Sequence, residues 1–322
     1  MNASLPLDSA WVLGQRPARN APIDPFKPRG VFLEEECADS GRVRSSAVIL
    51  LANKECPWRC LMCDLWKQSL DGPTPPGAIP KQIELALAQL GAAPEQLKLY
   101  NSGSFFDMAA IPVADYPAIA EKIAAVDHVV VESHPRLIGE RSLRFRDLLD
   151  GSLEVAMGLE TVHPLVLPRL NKRFDLEQFA RAARFLVKEG ISARAFVLVK
   201  PPFLPEEEAV EWALKTAEFA FDCGVKVVTL IPTRAGNGAM DALMQDGEFS
   251  PPRLATLEQA LEQVLKRAQV RVFADTWDLD QFSICPVCLP ERRQRIHQMN
   301  LTQRILPAVQ CEHCSPASIL HP

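Results

Sequence analysis

The stretch SSAVILLANKECPWRCLMC (45–63) decides how the rest of the chain is read. Its first half, SSAVILLAN (45–53), is a short apolar run with polar residues at its ends, the pattern of a strand buried on both faces. Its second half puts Cys56, Cys60 and Cys63 on the loop that leaves that strand, in a CxxxCxxC spacing. Downstream the chain alternates. LKLYNS (97–102), HVVVES (128–133), LEVAMGLE (153–160), ARAFVLVK (193–200) and VKVVTLIP (225–232) read as five more strands. Residues 80–90, opened by Pro80 and closed by Gly91, have a helical pattern, as do 113–125, 138–149, 175–190 and 205–222.

Six strands too apolar to have a wet face, separated by helices, require a parallel sheet with crossover helices. The expected fold class is α/β: a partial (β/α)6 TIM-like barrel, with a doubly wound sheet as the other arrangement. In either, the active site lies at the C-terminal strand ends. Polar residues fall there: Asn101-Ser102-Gly103-Ser104, Glu132-Ser133-His134, Gly158 and Glu160, Lys200, Thr233-Arg234 and Gly236-Asn237-Gly238. The organisation follows: a Pro-rich N-terminal arm (1–44), the barrel core (45–240), a C-terminal extension with a helix at 253–268 and a strand at 270–275 (241–275), and a small cysteine-rich metal-binding module (276–322).

Composition narrows the function. The chain has 322 residues, 48% hydrophobic and 23% charged, as expected of a globular protein with a full core. No apolar run approaches the ~20 residues that span a bilayer, and the N-terminus has no secretory pattern. A cytoplasmic protein without a membrane partner is expected. A formal net charge of −5 gives no general attraction to nucleic acid. Seven of the nine cysteines fall in three groups, 56/60/63, 285/288 and 311/314, which in a reducing compartment point to metal rather than disulfides.

Three thiolates on one loop suit three irons of a 4Fe–4S cubane and leave the fourth iron open. Such a site can bind the amino and carboxylate groups of S-adenosylmethionine (SAM) and pass an electron to its sulfonium. A zinc loop fits poorly, because zinc takes four ligands in separated CxxC pairs. These residues, with NKECPWRCLMCDLWK (53–67), LYNSGSFFDMAAIP (99–112), VVVESHP (129–135) and LEVAMGLET (153–161), resemble the radical SAM superfamily over about residues 45–240. The resemblance is closest to the branch of the elongator catalytic subunit and the archaeosine synthase radical SAM subunit. It implies that Cys56, Cys60 and Cys63 ligate the cluster. It implies that Met62 packs near the adenine, where the family usually has an aromatic residue. Ser102, Gly103 and Ser104 take the place of the loop that receives the SAM amino group. Glu132 and Glu160 are implied in ribose or amino contacts, and Arg194 and Lys200 in carboxylate contacts. Arg234 falls in IPTRAGNG (231–238), which resembles the region lining the adenine.

Cys285, Cys288, Cys311 and Cys314 form two CxxC pairs with 22 residues between them, the spacing of a four-cysteine zinc site or of an auxiliary iron–sulfur cluster. His297 and His313 are further candidate ligands. The Arg-rich stretch between the pairs (Arg292, Arg293, Arg295, Arg304) reads as a solvated helical face or as an RNA contact. Three functions remain open at this level. One is a radical enzyme that modifies a tRNA base with a partner subunit. Another is a radical enzyme acting on a small metabolite or peptide. The last is a non-catalytic zinc-binding protein. The radical readings need an electron donor such as ferredoxin or flavodoxin.

Overall fold

A computed structural model describes residues 7–19 and 22–314. The parts of the arm and the module at 1–6, 20–21 and 315–322 lie outside them. The strands are β1 (Gly30–Cys37), β2 (Val43–Leu51), β3 (Gln96–Asn101), β4 (His128–Glu132), β5 (Ser152–Glu160), β6 (Ser192–Val199), β7 (Val227–Pro232) and β8 (Arg271–Ala274). They form one sheet in sequence order. β1 pairs antiparallel with β2, and every later pair is parallel. The sheet curls into a half-barrel. The six expected parallel strands are extended by β8 at one edge and by β1 at the other. The segment read as an arm therefore contains an edge strand, and a short helix, α1 (Ser9–Gly14), precedes it. The strand was hidden because VFLEEE alternates only weakly and a Pro-rich stretch precedes it.

The remaining helices are α2 (Ala78–Leu90), α3 (Tyr116–Lys122), α4 (Glu140–Arg146), α5 (Leu176–Lys188), α6 (Ala209–Asp222), α7 (Ala239–Gln245), α8 (Leu254–Arg267) and α9 (Leu289–Thr302). The amphipathic α5 shows how the sequence builds them. Asp175 caps Gln178 N–H, and Gln178 returns the bond to Asp175 N–H. Phe179, Ala183 and Leu186 then fall on one buried face. Alternation along the strands sorts the two sheet faces. Leu97, Leu99, Val129, Val131, Val155 and Val197 face the helices in the main core. The residues between them face the inside of the curl.

That inner face is charged at the N-terminal strand ends. Arg194 of β6 donates from Nε to Glu154 (2.6 Å) and from Nη2 to Glu36 of β1 (2.7 Å), and Lys98 of β3 reaches Glu36 at 2.8 Å. Burial disfavours the charge on Glu36, yet Arg194 and Lys98 outweigh it and hold the carboxyl well below its usual range. Glu154 is held at about 2 in the same way, against burial, by Arg194 and His128. Arg271 of β8 closes the ring at 3.6 Å from both Glu36 and Glu154.

These contacts shut the gap between the sheet's two edges. Cys37 of β1 packs with Val227 and Phe273, and Arg271 donates to the Cys37 carbonyl (3.2 Å). Phe32 meets Trp277 edge-on at 4.9 Å, and α9 packs against both edge strands. Ile296 and Met299 of α9 belong to the main core. No helix among the described residues is long and apolar enough to cross a membrane. Replacing Glu36 by Ala takes one carboxylate from the buried cations, leaving Arg194 with Glu154 and Lys98 with Glu34 alone. The expected loss is about 3–5 kcal/mol, read as a lower urea midpoint, whereas a charge-removing change at exposed Glu207 should leave the midpoint unchanged.

Candidate functional site

The cysteine loop sits at the C-terminal mouth of the half-barrel, where β2 ends. Three side-chain amides and one backbone bond fix it. Asn53 accepts from Ser102 N–H (3.0 Å), which ties the ends of β2 and β3 together. Asn171 donates to the Arg59 carbonyl (2.7 Å). Asn237 donates to the carbonyls of Leu61 (2.8 Å) and Cys63 (3.1 Å) and accepts from Met240 N–H. Leu61 N–H donates to the Leu170 carbonyl (2.9 Å). From the N-terminal side, Val12 of α1 packs with Leu61, Met240, Leu243 and Phe249, and Arg16 pairs with Glu55 at 2.7 Å. The segment before β1 is therefore a brace laid across the loop.

All three thiols are half-buried. Burial, then the neighbouring Cys60, pushes Cys56 up to about 12, and burial raises Cys60 and Cys63 as well. Three sulfurs gathered this way carry charge together only beside a strongly positive, thiophilic centre. The donor set thus fits an iron–sulfur cluster. Gly103 explains how the neighbouring loop comes so close. A Cβ there would lie 3.1 Å from Cys56 Cβ and 3.3 Å from Cys56 Cα and N.

A second layer backs the loop. Trp58 lies flat on His134, with ring centres 3.7 Å apart and planes 5° from parallel. His134 donates from Nε2 to the Lys172 carbonyl (2.8 Å) and accepts at Nδ1 from Arg136 N–H (3.2 Å), which fixes a neutral tautomer. Burial, reinforced by Lys172, drives its pKa down to about 3. Lys172 is itself buried and ion-paired with Glu160. Burial opposes its charge, but Glu160 and Cys60 outweigh this and raise its pKa. Glu160 sits at a register shift of β5 in the left-handed region (φ 68°), and a Cβ on Gly158 would collide with this ion pair.

The expected site residues divide into two groups. Met62, Ser102, Gly103, Ser104, Glu132 and Glu160 surround the mouth. Met62 packs with Leu198, Ile231 and Phe203 at the ends of β6 and β7. Ser104 Oγ accepts from His134 N–H (2.9 Å). Glu132 accepts from Asn101 N–H (2.6 Å), and burial pushes its carboxyl up to about 8. Below them Tyr100 and Phe196 meet edge-on at 6.2 Å on the inner face. The remaining three are not brought together. Arg194 lies at the opposite end of the barrel, because it is only the third residue of β6, and both of its partners are glutamates there. Lys200 is spent on Ser250 and on Glu206 (3.0 Å), outside the mouth. Arg234 turns to Asp275 (2.9 Å) and the Trp277 carbonyl (2.6 Å). Carboxylate recognition by Arg194 or Lys200 is thus corrected by their partners. Lys172, Asn171 and Trp58 are the members that the sequence reading misses, while His134 and Asn237 stand in it only as polar residues at strand ends. Their signal is weak in sequence, since loop residues 171–174 carry no periodicity.

The second cysteine group converges. The sulfurs of Cys285, Cys288, Cys311 and Cys314 all lie within 4.8 Å of one another, with Cys285–Cys311 at 3.9 Å and Cys288–Cys314 at 3.7 Å. This group could hold a metal ion. His297 and His313 are not part of it. The Arg-rich stretch largely folds inward: Arg292 and Arg295 both pair with Glu258 of α8.

No family profile matches the chain. Among solved structures, SuiB of Streptococcus suis superposes with a TM-score of 0.53 at 12% identity, over 71% of this chain and 50% of that one. The chain carries the fold of radical SAM enzymes. SuiB has also been solved bound to S-adenosylmethionine (TM-score 0.51). Methylornithine synthase matches with a TM-score of 0.51 at 11% identity, over 73% of this chain and 65% of that one. The chain spans about half the length of SuiB. In sequence it is 26% identical to an uncharacterised protein of Methanocaldococcus jannaschii, over 76% of this chain and 71% of the relative. It is 25% identical to archaeosine synthase subunit beta of Methanosarcina acetivorans, over 70% of this chain and 68% of the relative. The close approach of Gly103 yields a test that needs no cofactor. Gly103→Ala should displace the Cys56 backbone at a cost of about 1–3 kcal/mol. It should also speed labelling of the loop thiols by a thiol reagent in the metal-free protein.

Proposed function

We propose that the chain is a radical SAM enzyme in which Cys56, Cys60 and Cys63 hold a 4Fe–4S cluster with SAM on its open iron. The observation that carries this reading is the set of three half-buried thiols on one braced loop at the C-terminal mouth of a half-barrel with the radical SAM fold. The cluster, when bound, supplies the electron that cleaves SAM to methionine and a 5′-deoxyadenosyl radical. The chain's own residues position and shield. Asn171 and Asn237 hold the loop's carbonyls, and Lys172 offsets negative charge beside Cys60. Met62, with Leu198 and Ile231, offers an apolar wall for the adenine. Ser102, Ser104, Glu132 and Glu160 offer polar groups for the amino acid and ribose of SAM. Tyr100 and Phe196 line the space beyond, where the substrate's reacting carbon is taken in. The relatives named archaeosine synthase subunit beta support a tRNA base as substrate, brought by a partner subunit. The internal pairing of Arg292 and Arg295 favours such a partner over the chain's own arginines as the RNA-binding element. The free thiols at every described cysteine suit a reducing, cytoplasmic setting. After anaerobic reconstitution with dithionite and SAM, the wild type should form 5′-deoxyadenosine and Cys60→Ala none. Absence of a cluster from the wild type would overturn the reading.

For the second cysteine group the spacing favours a single zinc ion over an auxiliary cluster. Zinc–sulfur bonds of about 2.3 Å in a tetrahedron set the sulfurs ~3.8 Å apart, whereas a cubane spreads its thiolates more widely. The 3.7 and 3.9 Å pairs match the former. Elemental analysis of protein purified aerobically should give about one zinc per chain, and Cys288→Ser should abolish it.

A further inference from the structure

Reductive cleavage of SAM needs one electron from outside, and the mouth loop has one side chain that leads outward. Trp58 lies between the thiols Cys56 and Cys60 and is half-buried. Its ring is stacked on His134, and His134 is bonded on both ring nitrogens to the segments that carry Arg136 and Arg173. Arg136 Nη1 donates to the Arg173 carbonyl (3.3 Å), so the two arginines belong to one surface. Both are exposed, and neither has a carboxylate partner among the described residues. Arg59, next to Trp58, points Nη1 back at the Cys56 and Trp58 carbonyls, but its charge is paired with Glu55 (3.3 Å), so Arg136 and Arg173 carry the positive charge here. The neighbouring Asp175 is occupied with capping α5. A local basic patch on a chain of net charge −5 therefore sits directly outside the thiol loop.

We propose that the Arg136–Arg173 patch, backed by the Trp58–His134 stack, is the docking surface for a small acidic one-electron carrier protein. This rests on the radical SAM reading above. Two exposed guanidiniums suit the edge of a compact acidic protein, whereas a nucleic-acid track needs a longer row of phosphate contacts. One electron leaves the carrier and the cluster is its acceptor; no bond forms or breaks in the transfer. The neutral, doubly bonded His134 keeps the two rings parallel.

The test uses the reconstituted protein with flavodoxin as the probe. Binding is measured by titration calorimetry at low and moderate salt. SAM cleavage is driven in parallel by reduced flavodoxin and by dithionite, which needs no docking surface. Arg136→Glu with Arg173→Glu should weaken flavodoxin binding about tenfold or more at low salt and flatten its salt dependence. Flavodoxin-driven cleavage should fall in step while dithionite-driven cleavage holds. Lys226→Glu, an exposed charge reversal beside the start of β7 at the far end of the barrel, should change neither. Unchanged flavodoxin binding in the double variant would overturn the proposal, as would a loss of tRNA binding with flavodoxin binding intact. Dithionite failing to drive cleavage in the wild type would count against the enzyme reading instead, and the calorimetry would still decide the surface.

Discussion

Glu36 and Arg194 are taken out of water together, and the shape of the molecule follows from that pair. Neither charge would tolerate burial alone. Glu36 comes from the first strand of the sheet and Arg194 from the sixth, so satisfying both requires the sheet to curl until they meet. Lys98, Glu154 and Arg271 complete the ring, drawing in β3, β5 and β8. The network seals one end of the half-barrel and leaves the other end to hold the chemistry. Replacing these charges with apolar groups of like size need not lower stability. What the ion network adds is register, since each partner is read from a specified position on its strand.

At the opposite end the problem is reversed. A loop of three thiols has no core of its own and must be held by its backbone. The structure does this with side-chain amides: Asn53, Asn171 and Asn237 each meet a backbone group on or beside the loop. Amides are neutral, so they fix the carbonyls without competing for the thiols. Lys172, paired with Glu160, sits where negative sulfur would gather. Rigidity and charge are thus supplied by different residues.

Much of this was legible in sequence, and the reasons separate cleanly. The inner strands are continuous apolar runs, and their alternation with amphipathic helices such as 176–188 announces a parallel sheet before any coordinate is known. The CxxxCxxC loop and the two CxxC pairs are local patterns, so their spacing carries their chemistry. Arg194 misled because a strand was treated as a point on the rim. Five positions separate Arg194 from Val199, and at about 3.3 Å per residue that is the depth of the barrel. Strand β1 escaped notice because Glu34, Glu35 and Glu36 look like a solvated run; only the arginines and lysine of distant strands explain a buried glutamate there. Lys172 and Asn171 lie in an irregular loop, where partners far apart in sequence decide every role.

The seam between β1 and β8 also orders events on the ribosome. β1 and the thiol loop are made early, while Arg271, Phe273 and the helix 289–302 that shut the seam are made last. Glu36 has its close partners once Arg194 is made, 158 residues later, and the edge-to-edge contact with Arg271 can follow only after that. Contacts of such long sequence separation form late because loop closure must precede them. The seam is thus the last part of the sheet to form, since β8 and the helix that covers it come after every other strand.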